Sequence, residues 1–83
     1  MSKSKTISFD HVDKYIQIGL NIAYYRKLRS MTQEELAEAA GISRSYLSTI
    51  EAPNIVKAFS IELLFDIADA LQIDSYKLLQ FRE

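Results

Sequence analysis

The stretch Thr32-Gln33-Glu34-Glu35-Leu36-Ala37-Glu38-Ala39-Ala40-Gly41-Ile42-Ser43-Arg44-Ser45-Tyr46-Leu47-Ser48-Thr49-Ile50-Glu51 decides the fold. It opens on a capping box: Thr32 is an N-cap, and Glu35 stands three residues on, so that each can satisfy the other's backbone N–H. Leu36, Ala37 and Ala40 then fall on one side of a short helix. Gly41 closes that helix, because a left-handed residue past a helix end carries no Cβ penalty when it is glycine. After Ile42, Ser43 caps a second short helix running from Arg44 to about Glu51, with Leu47 and Ile50 facing inward. Two short helices joined by a tight, glycine-containing turn make a helix-turn-helix over about residues 33–51. Ala37 sits where the two helices meet, and a larger side chain there would push them apart. Any one of these matches is common in helical hairpins; together, in so short a stretch, they specify the motif.

Working outward, Phe9, Val12, Ile16, Ile18, Leu20, Ile22, Tyr25 and Leu28 recur mostly at spacings of three and four. That spacing predicts a helix over Phe9–Leu28. Gly19 within it costs ~1 kcal/mol against alanine, which points to a packing reason. Beyond the motif, Ala52-Pro53-Asn54 stops the second helix, and residues 54–59 form a loop carrying Ile55, Val56 and Phe59. Ser60 opens a further helix through about Leu71, with Leu64, Ile67, Ala68 and Leu71 inward. Asp74 or Ser75 caps a last short helix with Leu78, Leu79 and Phe81. The expectation is an all-α, five-helix domain over residues 9–83, preceded by a flexible polar segment, residues 1–8.

Composition narrows the function. The chain has 83 residues, 48% hydrophobic and 25% charged, as in an ordinary globular domain. Two glycines and one proline argue against a turn-rich β fold, and the absence of cysteine removes disulfides, cysteine zinc sites and thiol nucleophiles. His11 is the single histidine, so no metal site is expected. Asp66 and Asp69 share a helix face with no nucleophile or base nearby in sequence and read as a solvated surface. No catalytic constellation, cofactor motif or small-molecule site is evident. No run approaches the ~20 apolar residues of a membrane span, and the basic start lacks the apolar core of a signal peptide, which places the chain in the cytoplasm. A domain this small buries only ~60% of its unfolded surface, so a second copy is a natural support. Leu63, Leu78, Leu79 and Phe81 exceed what one small core needs and are assigned to a dimer interface in preference to core closure.

The residues quoted above resemble the XRE/Cro family of phage-repressor-like helix-turn-helix regulators. The resemblance rests on Ile18-Gly19…Ile22…Tyr25-Arg26, on Met31 to Ala37, on Gly41 to Glu51, and on Ile67-Ala68-Asp69-Ala70-Leu71 with Leu78-Leu79. It spans about residues 16–80. It implies a lambda-repressor-like DNA-binding domain that works as a homodimer on a pseudo-palindromic operator in double-stranded DNA. The chain departs from the family at Ala52-Pro53, Ser30 and Gln72, where glycine is usual.

The second helix of such a motif presents its N-terminal residues to base edges in the major groove. With Leu47 and Ile50 inward, the outward face is Arg44, Ser45, Ser48 and Thr49, with Tyr46 at the edge. Arg44 can offer a planar fork to guanine O6 and N7. Ser45 and Thr49 can read bases or admit a thymine methyl, and Tyr46 can reach a phosphate. Ser43 is an N-cap before it is a base contact, Ser48 is equally suited to packing, and Tyr46 equally suited to covering the core edge. Lys57 is a sequence-independent contact. The resemblance implies that Gln33 bonds a phosphate and braces Arg44, its plain alternative being a solvated first-turn residue, and that Arg26 and Glu51 form a partly buried ion pair. Lys3 and Lys5 can serve as an arm along DNA or as a plain disordered start.

The net charge of −1 weighs against nucleic-acid binding. It is, however, a cancellation. Lys3, Lys5, Lys14, Arg26, Lys27 and Arg29 face only Asp10 and Asp13 in residues 1–29, whereas residues 30–83 are acid-rich. The competing expectation is a protein-interaction module or antitoxin that kept the fold with weak or no DNA binding.

Overall fold

The computed structural model describes residues 11–55 and 57–81. Four α-helices and a 3-10 helix follow in order: α1 (Val12–Leu28), α2 (Gln33–Ala40), α3 (Arg44–Glu51), α4 (Ile61–Leu71) and the 3-10 helix Ser75–Leu79. No strand occurs among the described residues. The expected start at Phe9, the segment 1–8 with Lys3 and Lys5, and Val56 lie outside them.

The expected fifth α-helix is therefore corrected to a 3-10 helix. It is five residues long, and its N-cap Asp74 makes no side-chain capping bond. So short a segment cannot offset helix nucleation, and the tighter 3-10 form is the usual outcome.

Side-chain caps start the other short helices. Thr32 Oγ1 accepts from the Glu35 N–H at 3.0 Å while Glu35 Oε1 accepts from the Thr32 N–H at 2.9 Å. Ser43 Oγ accepts from the Tyr46 N–H, and Ser60 Oγ from the Leu63 N–H. Three helices end alike. Ser30, Gly41 and Gln72 adopt φ of 58°, 76° and 59°. Each is followed by the paired backbone bonds of a Schellman ending: Met31 N–H to Arg26 O, Ile42 N–H to Ala37 O, and Ile73 N–H to Ala68 O. The left-handed residue is thus present at Ser30 and Gln72 although the glycine is not. α3 ends differently. Ala52 precedes Pro53, whose ring excludes the helical region for its neighbour, and its ψ is 123°.

The helices enclose one core of Ile18, Ile22, Leu36, Ala37, Ala40, Leu47, Ile50, Leu63, Leu64, Ile67, Ala68, Leu71 and Leu78. Leu63 and Leu78 belong to it, which corrects their assignment to an interface. Leu79 and Phe81 remain exposed. On α1 the pattern is less regular: Leu20 and Leu28 are 46% and 61% exposed, while Asn21 is buried. The Asn21 Nδ2 group donates to Leu78 O at 2.9 Å and Gln80 O at 3.1 Å, tying α1 to the C-terminal segment. Arg29 caps the far end of α4, donating to Leu71 O and Gln72 O, where a cation meets the negative end of the helix dipole.

Gly19 has its packing reason. A Cβ there would collide with the carbonyl oxygen of Ile50, so α1 lies backbone-close against the end of α3. Gly19→Ala is therefore expected to destabilise by about 1–3 kcal/mol despite alanine's better helix propensity. Gln72→Gly, by contrast, should stabilise by about 0.5–1 kcal/mol by relieving a left-handed residue. Thermal melts of the two variants check both signs.

Candidate nucleic-acid interface

The presentation of α3 rests on a network at its C-terminal end. Arg26, on α1, grips the Glu51 carboxylate with both arms of its fork: Nε to Oε2 at 2.9 Å and Nη2 to Oε1 at 3.0 Å. Its third nitrogen, Nη1, donates to Met31 O at 2.8 Å in the turn before α2. Gln33 Nε2, in the first turn of α2, donates to Glu51 Oε1 at 3.0 Å. The side chains of Arg26 and Glu51 are only 11% and 5% exposed. One carboxylate thus joins α1, α2 and α3, and bidentate geometry fixes angle as well as distance.

The same network shapes the electrostatics. Glu51 is the sole acid on α3, and it is buried beneath an arginine. The exposed face of α3 consequently carries no acidic side chain. Arg44, Ser45 and Ser48 are all exposed, and Thr49 is half-buried. Exposure of Ser48 removes the packing alternative for it. Thr49 Oγ1 donates to Ser45 O at 3.1 Å within the helix, so its hydroxyl proton is engaged. Ser43 serves as the N-cap. Gln33 is drawn to Glu51, and no bond from Gln33 to Arg44 is formed. Tyr46 is half-buried against the core, and its ring carries the Lys57 ammonium at 5.3 Å from the centroid. The structure therefore gathers Arg44, Ser45, Ser48 and Thr49 on one face, sets Tyr46 and Lys57 at its edge, and places Gln33 behind it with Arg26 and Glu51.

Sequence reasoning missed Asn21 and Arg29, whose partners are main-chain carbonyls distant in the chain. The in-helix glycine at 19 was the one local signal of how closely α1 and α3 approach. Among the described residues no group of histidines and acids is placed to hold a metal ion, and no helix is long and apolar enough to cross a membrane.

A capped helix pair around a left-handed glycine, braced by a buried fork at the end of the second helix, defines a helix-turn-helix domain, and the chain belongs to the XRE/Cro-like helix-turn-helix family of transcriptional regulators. The helix-turn-helix family model matches residues 22–78. Among curated relatives, the transcriptional regulator SinR of Bacillus licheniformis is 38% identical over 66 residues, covering 80% of this chain and 59% of that protein. The chain thus spans less than two thirds of the SinR regulators it matches. Among solved structures, the restriction-modification controller protein C.AhdI from Aeromonas hydrophila superposes with a TM-score of 0.76 at 28% identity, over 83% of this chain and 97% of the other. SinR, the master regulator for biofilm formation, in complex with DNA gives a TM-score of 0.69 at 40% identity, over 76% and 98%.

Removing one partner of a buried pair costs more than the pair contributes, because a charge is stranded. Arg26→Ala should destabilise by about 3 kcal/mol and lower the melting temperature by about 10 °C or more. Arg44→Ala, at an exposed position, should leave the melting temperature nearly unchanged. Equal losses in the two melts would contradict the assignment.

Proposed function

We infer that the chain is a sequence-specific DNA-binding transcriptional regulator that lays α3 in the major groove of double-stranded DNA. The observation that carries this is the face of α3: Arg44 amid neutral hydroxyls, its one acid buried, its tilt set by Arg26. Arg44 and Ser45 stand in the first turn, where recognition helices meet base edges. Ser48 and Thr49 follow one turn on. Because the Thr49 proton is engaged by Ser45, Thr49 offers a base an acceptor oxygen or a methyl. The N–H groups at the starts of α2 and α3 favour backbone phosphates, and Lys57, beside the Tyr46 ring, supplies a further phosphate contact. Gln33, holding Glu51 by one N–H, has a second available for phosphate. That SinR, similar over this region, has been captured with DNA supports the reading.

The regulator acts by occupancy, as a homodimer in the cytoplasm, with no cofactor. Exposed Ile61, Phe65, Leu79 and Phe81 favour the dimer. Ile61, Leu79 and Phe81 line a groove of about 390 Å³ together with Tyr15, Ile18, Phe59 and Leu64. A two-fold dimer sets two copies of α3 ~34 Å apart, one turn of DNA.

Selection from a random duplex pool tests the proposal. The expected product is an inverted repeat with half-site centres about 10 base pairs apart. Affinity should fall steeply between about 50 and 200 mM salt, as counterion release requires. Arg44→Ala should relax one base position per half-site, losing about 1–3 kcal/mol of discrimination. Absent or salt-insensitive binding would assign the domain to protein recognition instead.

A further inference from the structure

The chain leaves α3 through Ala52-Pro53, where the family pattern usually has glycine. Pro53 forces Ala52 out of the helical region, and Ala52–Ile55 closes a turn with the Ile55 N–H on Ala52 O at 3.4 Å. Lys57 lies six positions beyond the helix end, yet its Nζ sits 5.3 Å from the ring centroid of Tyr46, in the first turn of α3. An ammonium from the outgoing loop is thus returned to the end of the helix that carries Arg44 and the free backbone N–H groups. Residues 30–83 hold only Arg44, Lys57, Lys77 and Arg82 as cations, so Lys57 is one of four in the acid-rich part of the chain.

We propose that Tyr46 is a positioning residue: its ring docks Lys57 at the N-terminal turn of α3, where the ammonium meets a phosphate of the DNA backbone. This rests on the reading of α3 as the DNA-facing helix. A lysine is a compact charge on a flexible stem, and fixing that stem on a phosphate costs conformational entropy. A lysine already held over an aromatic face has lost part of that freedom before DNA arrives, so the ring raises affinity without touching a base. Tyr46 thereby acts through Lys57, and the ring, not the hydroxyl, does it.

The test is a double-mutant cycle on the selected duplex, with parent, Tyr46→Leu, Lys57→Ala, the double variant and Tyr46→Phe measured across a salt series. Lys57→Ala should weaken binding to every duplex alike and flatten the salt dependence by about one ion per subunit. Tyr46→Leu should weaken binding about two- to fivefold, the scale of a cation–π contact. The double variant should bind no worse than Lys57→Ala, and Tyr46→Phe should bind as the parent does. Additive losses in the cycle, or an undiminished Lys57→Ala protein, overturn the proposal. A readout without DNA keeps it separable from the DNA reading and from loss of packing at Tyr46. In the free protein the Lys57 ε-methylene protons should resonate upfield in the parent and in Tyr46→Phe, and move to random-coil positions in Tyr46→Leu. Unshifted protons in the parent overturn the docking even if the parent binds its duplex well, whereas shifted protons in a parent that binds no duplex overturn the DNA reading and leave the ammonium without a phosphate to meet.

Discussion

The fork between Arg26 and Glu51 is the constraint on which the rest of this small domain depends. A buried carboxylate must be hydrogen-bonded and paired, or it is too costly to keep. Here both oxygens are occupied by one guanidinium, and Gln33 adds a third bond to Oε1. Because the guanidinium also holds Met31 O, the same side chain fixes the turn that leads into α2. The arrangement needs α1 close to α3, and Gly19 allows it by leaving room for the Ile50 carbonyl. Two residues on one helix therefore set the tilt of another: one by lacking a side chain, the other by the shape of its head group.

Much of this architecture was legible in the sequence where local chemistry dictates it. Thr32, Glu35, Ser43 and Ser60 announce helix starts by capping, and Gly41 announces an end; the inward residues of α2, α3 and α4 follow from their spacing. α1 was read less well. Its apolar spacing enrols Leu20 and Leu28, which face solvent, and passes over Asn21, which is buried because two carbonyls of the C-terminal segment meet its amide. That pairing depends on chain closure, which periodicity does not carry. The last helix was over-read for a similar reason: Leu78 supplies an apolar anchor, but five residues cannot sustain α-helical bonding. Of the candidate site, the outward face of α3 was legible once Leu47 and Ile50 were set inward. The partner of Gln33 was not, since it follows from where Glu51 comes to rest.

The charge count also changes meaning once the side chains are placed. A total of −1 suggests a surface indifferent to phosphate. The structure divides it: Glu51 is neutralised within the core edge, Glu34, Glu35 and Glu38 stand on α2, and Asp66, Asp69 and Asp74 lie on or just beyond α4. The outer face of α3 is left with Arg44 alone among hydroxyls, and the loop after it delivers Lys57. Local arrangement, not net charge, decides what that face can approach. Overall acidity instead tempers non-specific attraction, so selectivity under the proposed reading falls on the few side chains of α3.

The most direct measurement is a titration of the labelled protein with its selected duplex, followed by the backbone amide resonances. The largest shifts are expected on Arg44, Ser45, Tyr46, Ser48, Thr49 and Lys57, with smaller changes at the start of α2 and none across the exposed face of Ile61 and Phe65. Shifts centred on that apolar face, with α3 unmoved, would contradict that expectation.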